Sequence, residues 1–163
     1  MAQRENIFIA APLDVAELAT TLVDSLGLEP IEADGYAQDS IDVGLRGPAH
    51  TASGLIGLRV YRNGFADPEA RPQDAQAFDA YPLQIDLWLP GSAESARQAE
   101  GRAVFDAVVK LMRSVPALLT HALNVLIAAY LPGMGIKDFD SPVMVDMEDH
   151  ASWGPWTLPR VTG

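Results

Sequence analysis

The stretch from Ser92 to Leu131 constrains this chain most; it reads SAESARQAEGRAVFDAVVKLMRSVPALLTHALNVLIAAYL. Val104, Ala107, Val108, Leu111, Met112 and Val115 keep helical spacing, and so do Leu119, Ala122, Leu123, Leu126, Ile127 and Tyr130. Each set makes an apolar stripe that another layer must cover. Gly101 weakens the first half by about 1 kcal/mol relative to Ala, and Pro116 ends or kinks the pattern. The spacing predicts two helices, Ala93 to Arg113 with Ser92 as its cap, and about Ala117 to Tyr130. A second reading makes Ala117 to Thr120 a buried strand ahead of a shorter helix.

The cover lies upstream. Asn6 to Ala10 is a short apolar strand stopped by Pro12. Asp14 and Glu17 have the spacing of a capping box, with Leu13 and Leu18 placed to staple it. Val15, Leu18, Ala19, Leu22, Val23 and Leu26 form the core stripe of a helix from Val15 to Leu26, ended by Gly27. Leu28 to Ala33 is a weak strand that Pro30 confines to an edge, and Asp34-Gly35 is a turn. Alternation predicts a strand at Ser40 to Arg46, with Ile41, Val43 and Leu45 inward, and another at Gly54 to Arg62, with Ile56, Leu58 and Val60 inward. Asp67 to Ala80 reads as a surface loop with a helical turn. Tyr81 to Leu89 is a strand with Leu83, Ile85, Leu87 and Leu89 inward and Gln84, Asp86 and Trp88 outward. Met134 to Gly163 holds no sustained period.

This element order predicts an α+β fold: a two-layer sandwich of a mostly antiparallel sheet with helices on one face and an irregular C-terminal tail. One domain, 1–163, is expected, with a core at 1–131 and an acidic, aromatic tail at 132–163 packed on it. The 163 residues and 48% hydrophobic content suffice for such a core. The absence of Cys excludes disulfides, thiolate metal sites and thiol nucleophiles. The apolar run Ile7 to Ala11 is too short for a secretory signal core, and Val125 to Leu131 is too short to span a bilayer. A soluble, cytoplasmic protein is expected.

A formal charge of −11 leaves the bases scattered and outnumbered, which argues against nucleic acid and anionic membranes as partners and favours a basic protein surface. His50, His121 and His150 lie far apart. His121 reads as a histidine at the edge of the core. His50, near Thr51 and Ser53, lacks the nucleophile-elbow pattern, and His150 beside Glu148 and Asp149 has no second His at ligand spacing. Asp138 and Asp140 read as solvated acids, and neither glycine-rich nucleotide signature is present. No catalytic residue, cofactor or metal is assigned.

Glu29, Glu32, Asp34, Asp39 and Asp42 fall between Leu28 and Leu45 with no base among them and Tyr36 in their midst. A second cluster, Asp138, Asp140, Glu148 and Asp149, is followed by Trp153 and Trp156. Aromatics beside acids suit a contact surface for a basic partner, with the aromatics as anchors; the plainer reading of the first segment is a solvated edge protected from strand pairing.

This profile resembles the small immunity proteins that bacteria make against secreted polymorphic toxins, in composition and element order over the whole chain. The resemblance implies an antitoxin that occludes a cognate, basic toxin stoichiometrically and catalyses nothing itself. Two other readings stay open: a ligand-binding domain or enzyme with a pocket between the sheet and helix 117–130, holding His121 or His50, and a structural or secretion-assembly protein.

Overall fold

The computed structural model describes residues 4–67 and 69–158. Among these, eight strands form one sheet: β1 (Glu5–Ile9), β2 (Glu29–Pro30), β3 (Asp42–Pro48), β4 (Leu55–Arg62), β5 (Leu83–Trp88), β6 (Ala117–His121), β7 (Val125–Leu131) and β8 (Gly135–Met144). Their order is β2-β3-β4-β5-β1-β6-β7-β8, and every neighbouring pair is antiparallel. Two helices, α1 (Val15–Leu26) and α2 (Glu94–Leu111), lie on one face, and a single turn, α3 (His150–Trp153), follows β8. The architecture is the α+β one that the element order predicts.

α1 forms where the pattern places it. The Asp14 side chain accepts from Glu17 N, the Glu17 side chain accepts from Asp14 N, and Gly27 closes the helix at φ 66°. Together these satisfy otherwise orphaned end groups. Val15, Leu18, Ala19 and Leu22 are buried with Val43, Leu45, Ile56, Leu58 and Val60. α2 packs its Val104, Phe105 and Val108 in the same core, against Ile7 and Leu119. Its N-cap is Ala93, with no side-chain cap bond, so the capping role expected of Ser92 is not filled.

Gly101 earns its place in α2. A Cβ there would lie 2.9 Å from Cγ of Glu5, so the glycine lets the helix approach β1. Gly101→Ala is therefore expected to destabilise by about 1–2 kcal/mol through overpacking, although helix propensity alone favours Ala. Urea unfolding checks this; a gain in stability would mean that Glu5 yields freely.

The largest departure from the sequence pattern is at 117–130. No helix forms; β6 and β7 make a hairpin there, joined through Ala122 (φ 53°) and Leu123 (φ 65°). The strand reading of 117–120 holds and the helix after it does not. Leu118 and Leu119 are both fully buried because β6 is covered on both faces. A strand covered on both faces reads as a continuous apolar run with no alternation, which helical spacing also fits.

The region from Met134 onward is likewise not all irregular. β8 takes up Gly135–Met144, and four of its residues, 139–142, bulge opposite Ile127. Lone pairing to β7 at an edge leaves the strand with little need for apolar alternation. Only the part after it is made of short turns: Met147–Asp149 and Gly154–Trp156 are single 3-10 turns flanking α3.

The sheet's second face is half covered. Phe8 stacks on Phe78 with ring centroids 4.5 Å apart, and Tyr81, Leu118, Leu126, Val143, Val145 and Trp153 complete a second core. The loop before β5 thus turns inward at Ala77, Phe78 and Tyr81. Burial pushes the Tyr81 phenol up to about 12. Ile41, expected inward, precedes β3 and is 81% exposed.

Candidate functional site

The acids of the first cluster divide into two kinds. Glu29 on β2 binds Arg46 on β3 at 3.1 Å, and Asp42 on β3 binds Arg59 on β4 through Arg59 Nε at 2.8 Å. The Arg59 guanidinium holds the Asp42 carboxyl below its ordinary range. These two charges are spent on neighbouring strands and offer little to a partner. Glu32, Asp34 and Asp39 lie exposed on the loop between β2 and β3 and join no ion pair among the described residues. Ile31, 49% exposed, and Ile41, 81% exposed, frame them.

Tyr36 is not the free anchor that its position suggests. Its hydroxyl is hydrogen-bonded to Thr20 Oγ1 at 2.5 Å, and its ring packs half-buried on the helix-side core. It fixes the loop to α1 instead. Beside it a cleft of about 410 Å³ runs between the loop and the start of α1, lined by Asp14, Glu17, Thr20, Tyr36 and Gln38.

The second acidic cluster disperses. Asp138 binds Arg102 of α2, and Asp149 accepts from Met144 N at 2.7 Å. Asp140 and Glu148 are exposed. Trp153 is buried, its Nε1 donating to Asp146 O at 2.8 Å, and Trp156 packs half-buried against the same core. Both tryptophans pack in the core of the second face, where an open sheet face needs large side chains to cover it.

Two buried polar clusters escape sequence reasoning. The first lies on the second face of the sheet, where Gln84 and Asp86 were expected to meet solvent. Asp86 Oδ1 accepts from Asn6 Nδ2 at 2.7 Å and Gln84 Nε2 at 2.9 Å, and Asp86 Oδ2 accepts from the Tyr61 hydroxyl at 2.6 Å. Arg4 reaches to 3.9 Å from Asp86 and lies over the Trp88 ring at 4.3 Å. Burial, and donation to Asp86, push the Tyr61 phenol well above its ordinary value. Registry explains the gathering: Arg59 pairs with Asp86, Asp86 with Asn6, and Asn6 with Thr120 across four strands.

The second cluster is on the helix side. The side chain of Glu100 is wholly buried, yet accepts from the backbone N of His50 at 2.8 Å and of Thr51 at 2.8 Å, and from Thr51 Oγ1 at 2.9 Å. Burial opposes the charge, but these donors outweigh it and hold the carboxyl below its ordinary range. His50 Nδ1 sits 3.2 Å from the same carboxylate. The loop 48–54 is thereby pinned to α2. Nearby, His121 at the end of β6 is bonded to Glu5 of β1, whose carboxyl burial pushes upward.

His50 and His121 both lie against carboxylates, and the pairings tie loop 48–54 to α2 and β6 to β1. The pocket expected against a helix at 117–130 has no such helix to form it. His150 packs edge-on to Trp153 at 4.7 Å. Among the described residues no group of three His or acidic side chains has metal-site geometry, and no helix is long and apolar enough to cross a membrane. Comparison with family models, curated proteins and solved structures finds no match for this chain.

Proposed function

We propose that this chain is a binding protein of the immunity type, a bacterial cytoplasmic antitoxin that neutralises a basic toxin by covering its active site. The observation that carries this reading is the loop between β2 and β3. Its three acids, unpaired among the described residues, stand between two exposed isoleucines, and Tyr36 holds it to α1. Unspent charge gives steering toward a basic surface, and exposed aliphatic area beside it gives adhesion. The net charge of −11 extends the attraction beyond the patch.

Tagged copurification from the native host, at low and moderate salt, tests this. One stoichiometric basic protein supports the reading and identifies the activity being blocked; no retained protein at either salt removes it. The triple charge reversal of Glu32, Asp34 and Asp39 to Lys is then expected to weaken binding at low salt by about tenfold or more, mainly through the association rate. Melting should move by no more than about 2 °C, since the three side chains are exposed. Unchanged affinity would take this loop out of the interface.

A further inference from the structure

At the other end of the sheet, beyond β7, a groove of about 530 Å³ lies between the second half of α2 and the β7–β8 turn. Three bases, Arg102, Lys110 and Arg113, and one acid, Asp106, line it, on a chain that carries only 11 bases. Arg102 is already committed: it binds Asp106 at 2.8 Å and also Asp138. Lys110 and Arg113 are exposed and join no ion pair among the described residues. Tyr130 donates to Arg113 O at 2.6 Å, which fixes the backbone just past α2. Val109, Tyr130 and Ile136 supply apolar wall beside the two free cations.

We propose that this groove binds a phosphate monoester carrying an aromatic body. Two unspent positive charges match the charge of such a phosphate, about −1.5 to −2 at neutral pH, better than that of a monocarboxylate. Arg113 presents a planar fork of donors and Lys110 a point charge, the usual complement for phosphate oxygens. The Tyr130 ring and the aliphatic side chains receive the body, and the volume falls within the range of small-ligand sites.

Bases at a helix C-terminus also complement the macrodipole. That accounts for Lys110 and Arg113 but not for an aromatic and aliphatic wall supplied opposite them by a separate hairpin. The acidic loop joins β2 to β3, at the opposite edge of the sheet from the β7–β8 turn. This site is independent of the proposed partner surface.

The test uses the full chain, with amide NMR and calorimetric titrations against phenyl phosphate, inorganic phosphate and benzoate. Phenyl phosphate is expected to give saturable shifts at Lys110, Arg113, Tyr130 and Ile136, and to bind about tenfold or more tightly than either control. The double variant Lys110→Glu, Arg113→Glu should lose about tenfold or more of that affinity with melting unchanged. Shifts that do not saturate, benzoate binding as well as phenyl phosphate, or a double variant that binds as before would each overturn the proposal.

Discussion

Asp86→Ala is expected to destabilise the protein by about 3–5 kcal/mol, because it removes the shared acceptor of three buried or half-buried donors. The carboxylate accepts from Asn6, Gln84 and Tyr61, and all three are buried or half-buried. Without it three donors lose their acceptor where water does not readily replace it, each costing about 1–3 kcal/mol before relaxation. Arg4 would also lose its ion-pair partner. Asp86→Asn keeps one acceptor oxygen and should cost clearly less. Tyr61→Phe removes one donor to Asp86 and one acceptor of Gln84 Nε2, and should cost about 1–2 kcal/mol. Urea unfolding of the three variants gives the ranking; an alanine variant within about 1 kcal/mol of the parent would mean that the network is solvated in practice.

Glu100→Ala is expected to cost about 3 kcal/mol, from charge-assisted hydrogen bonds of about 1.5–3 kcal/mol each that are not additive. It should also release loop 48–54, which is visible as faster amide exchange at His50 and Thr51. Glu100→Gln is a poor substitute, because its amide would turn a donor toward donors. The effect depends on pH in a fixed direction. The folded carboxyl titrates below its ordinary value of 4.5, so the unfolded chain takes up the proton first as pH falls. The stabilisation is complete above that ordinary value and disappears as pH drops through the folded one. The gap between parent and Glu100→Gln should accordingly close in acid, read from urea midpoints at pH 7 and pH 3. Glu5 acts in the opposite sense: burial raises its folded value, so protonation as pH falls through it favours the folded state. A gap that stays constant across this range would mean that Glu100 is not held as a carboxylate.

The legibility of this chain follows burial geometry. α1 was readable to its ends because every determinant is local: cap, staple spacing, stripe and terminal glycine lie within about fourteen residues. β3, β4 and the apolar side of β5 were readable because each buries one side in the helix-covered core and so alternates. β6 and β7 were not. Both are buried on two faces, and their turn uses Ala122 and Leu123 in the left-handed region, where Gly or Asn would have signalled a hairpin. That turn is held by the ladder on either side of it, since such residues cost about 1–3 kcal/mol each in isolation.

The candidate surfaces divide the same way. The acid-rich segment 28–45 was visible as composition, but which acids remain free was not. Glu29 and Asp42 meet bases 17 residues away in sequence, Arg46 and Arg59, through cross-strand registry. Trp153 and Trp156 looked like interface anchors, yet the half-open second face of the sheet takes them up. The groove with Lys110, Arg113 and Tyr130 has no sequence signature, because its two walls, the second half of α2 and the β7–β8 turn, are brought together only by the fold.

Local pattern and composition are enough for the α+β class, the first helix and its caps, the one-sided strands and the acidic balance. The assembled fold is needed to make 117–130 a hairpin, to bury Gln84 and Asp86, and to set which charges are paired. The reason is physical: burial on two faces erases the period that sequence reading relies on, and ion pairing depends on registry between strands distant in the chain.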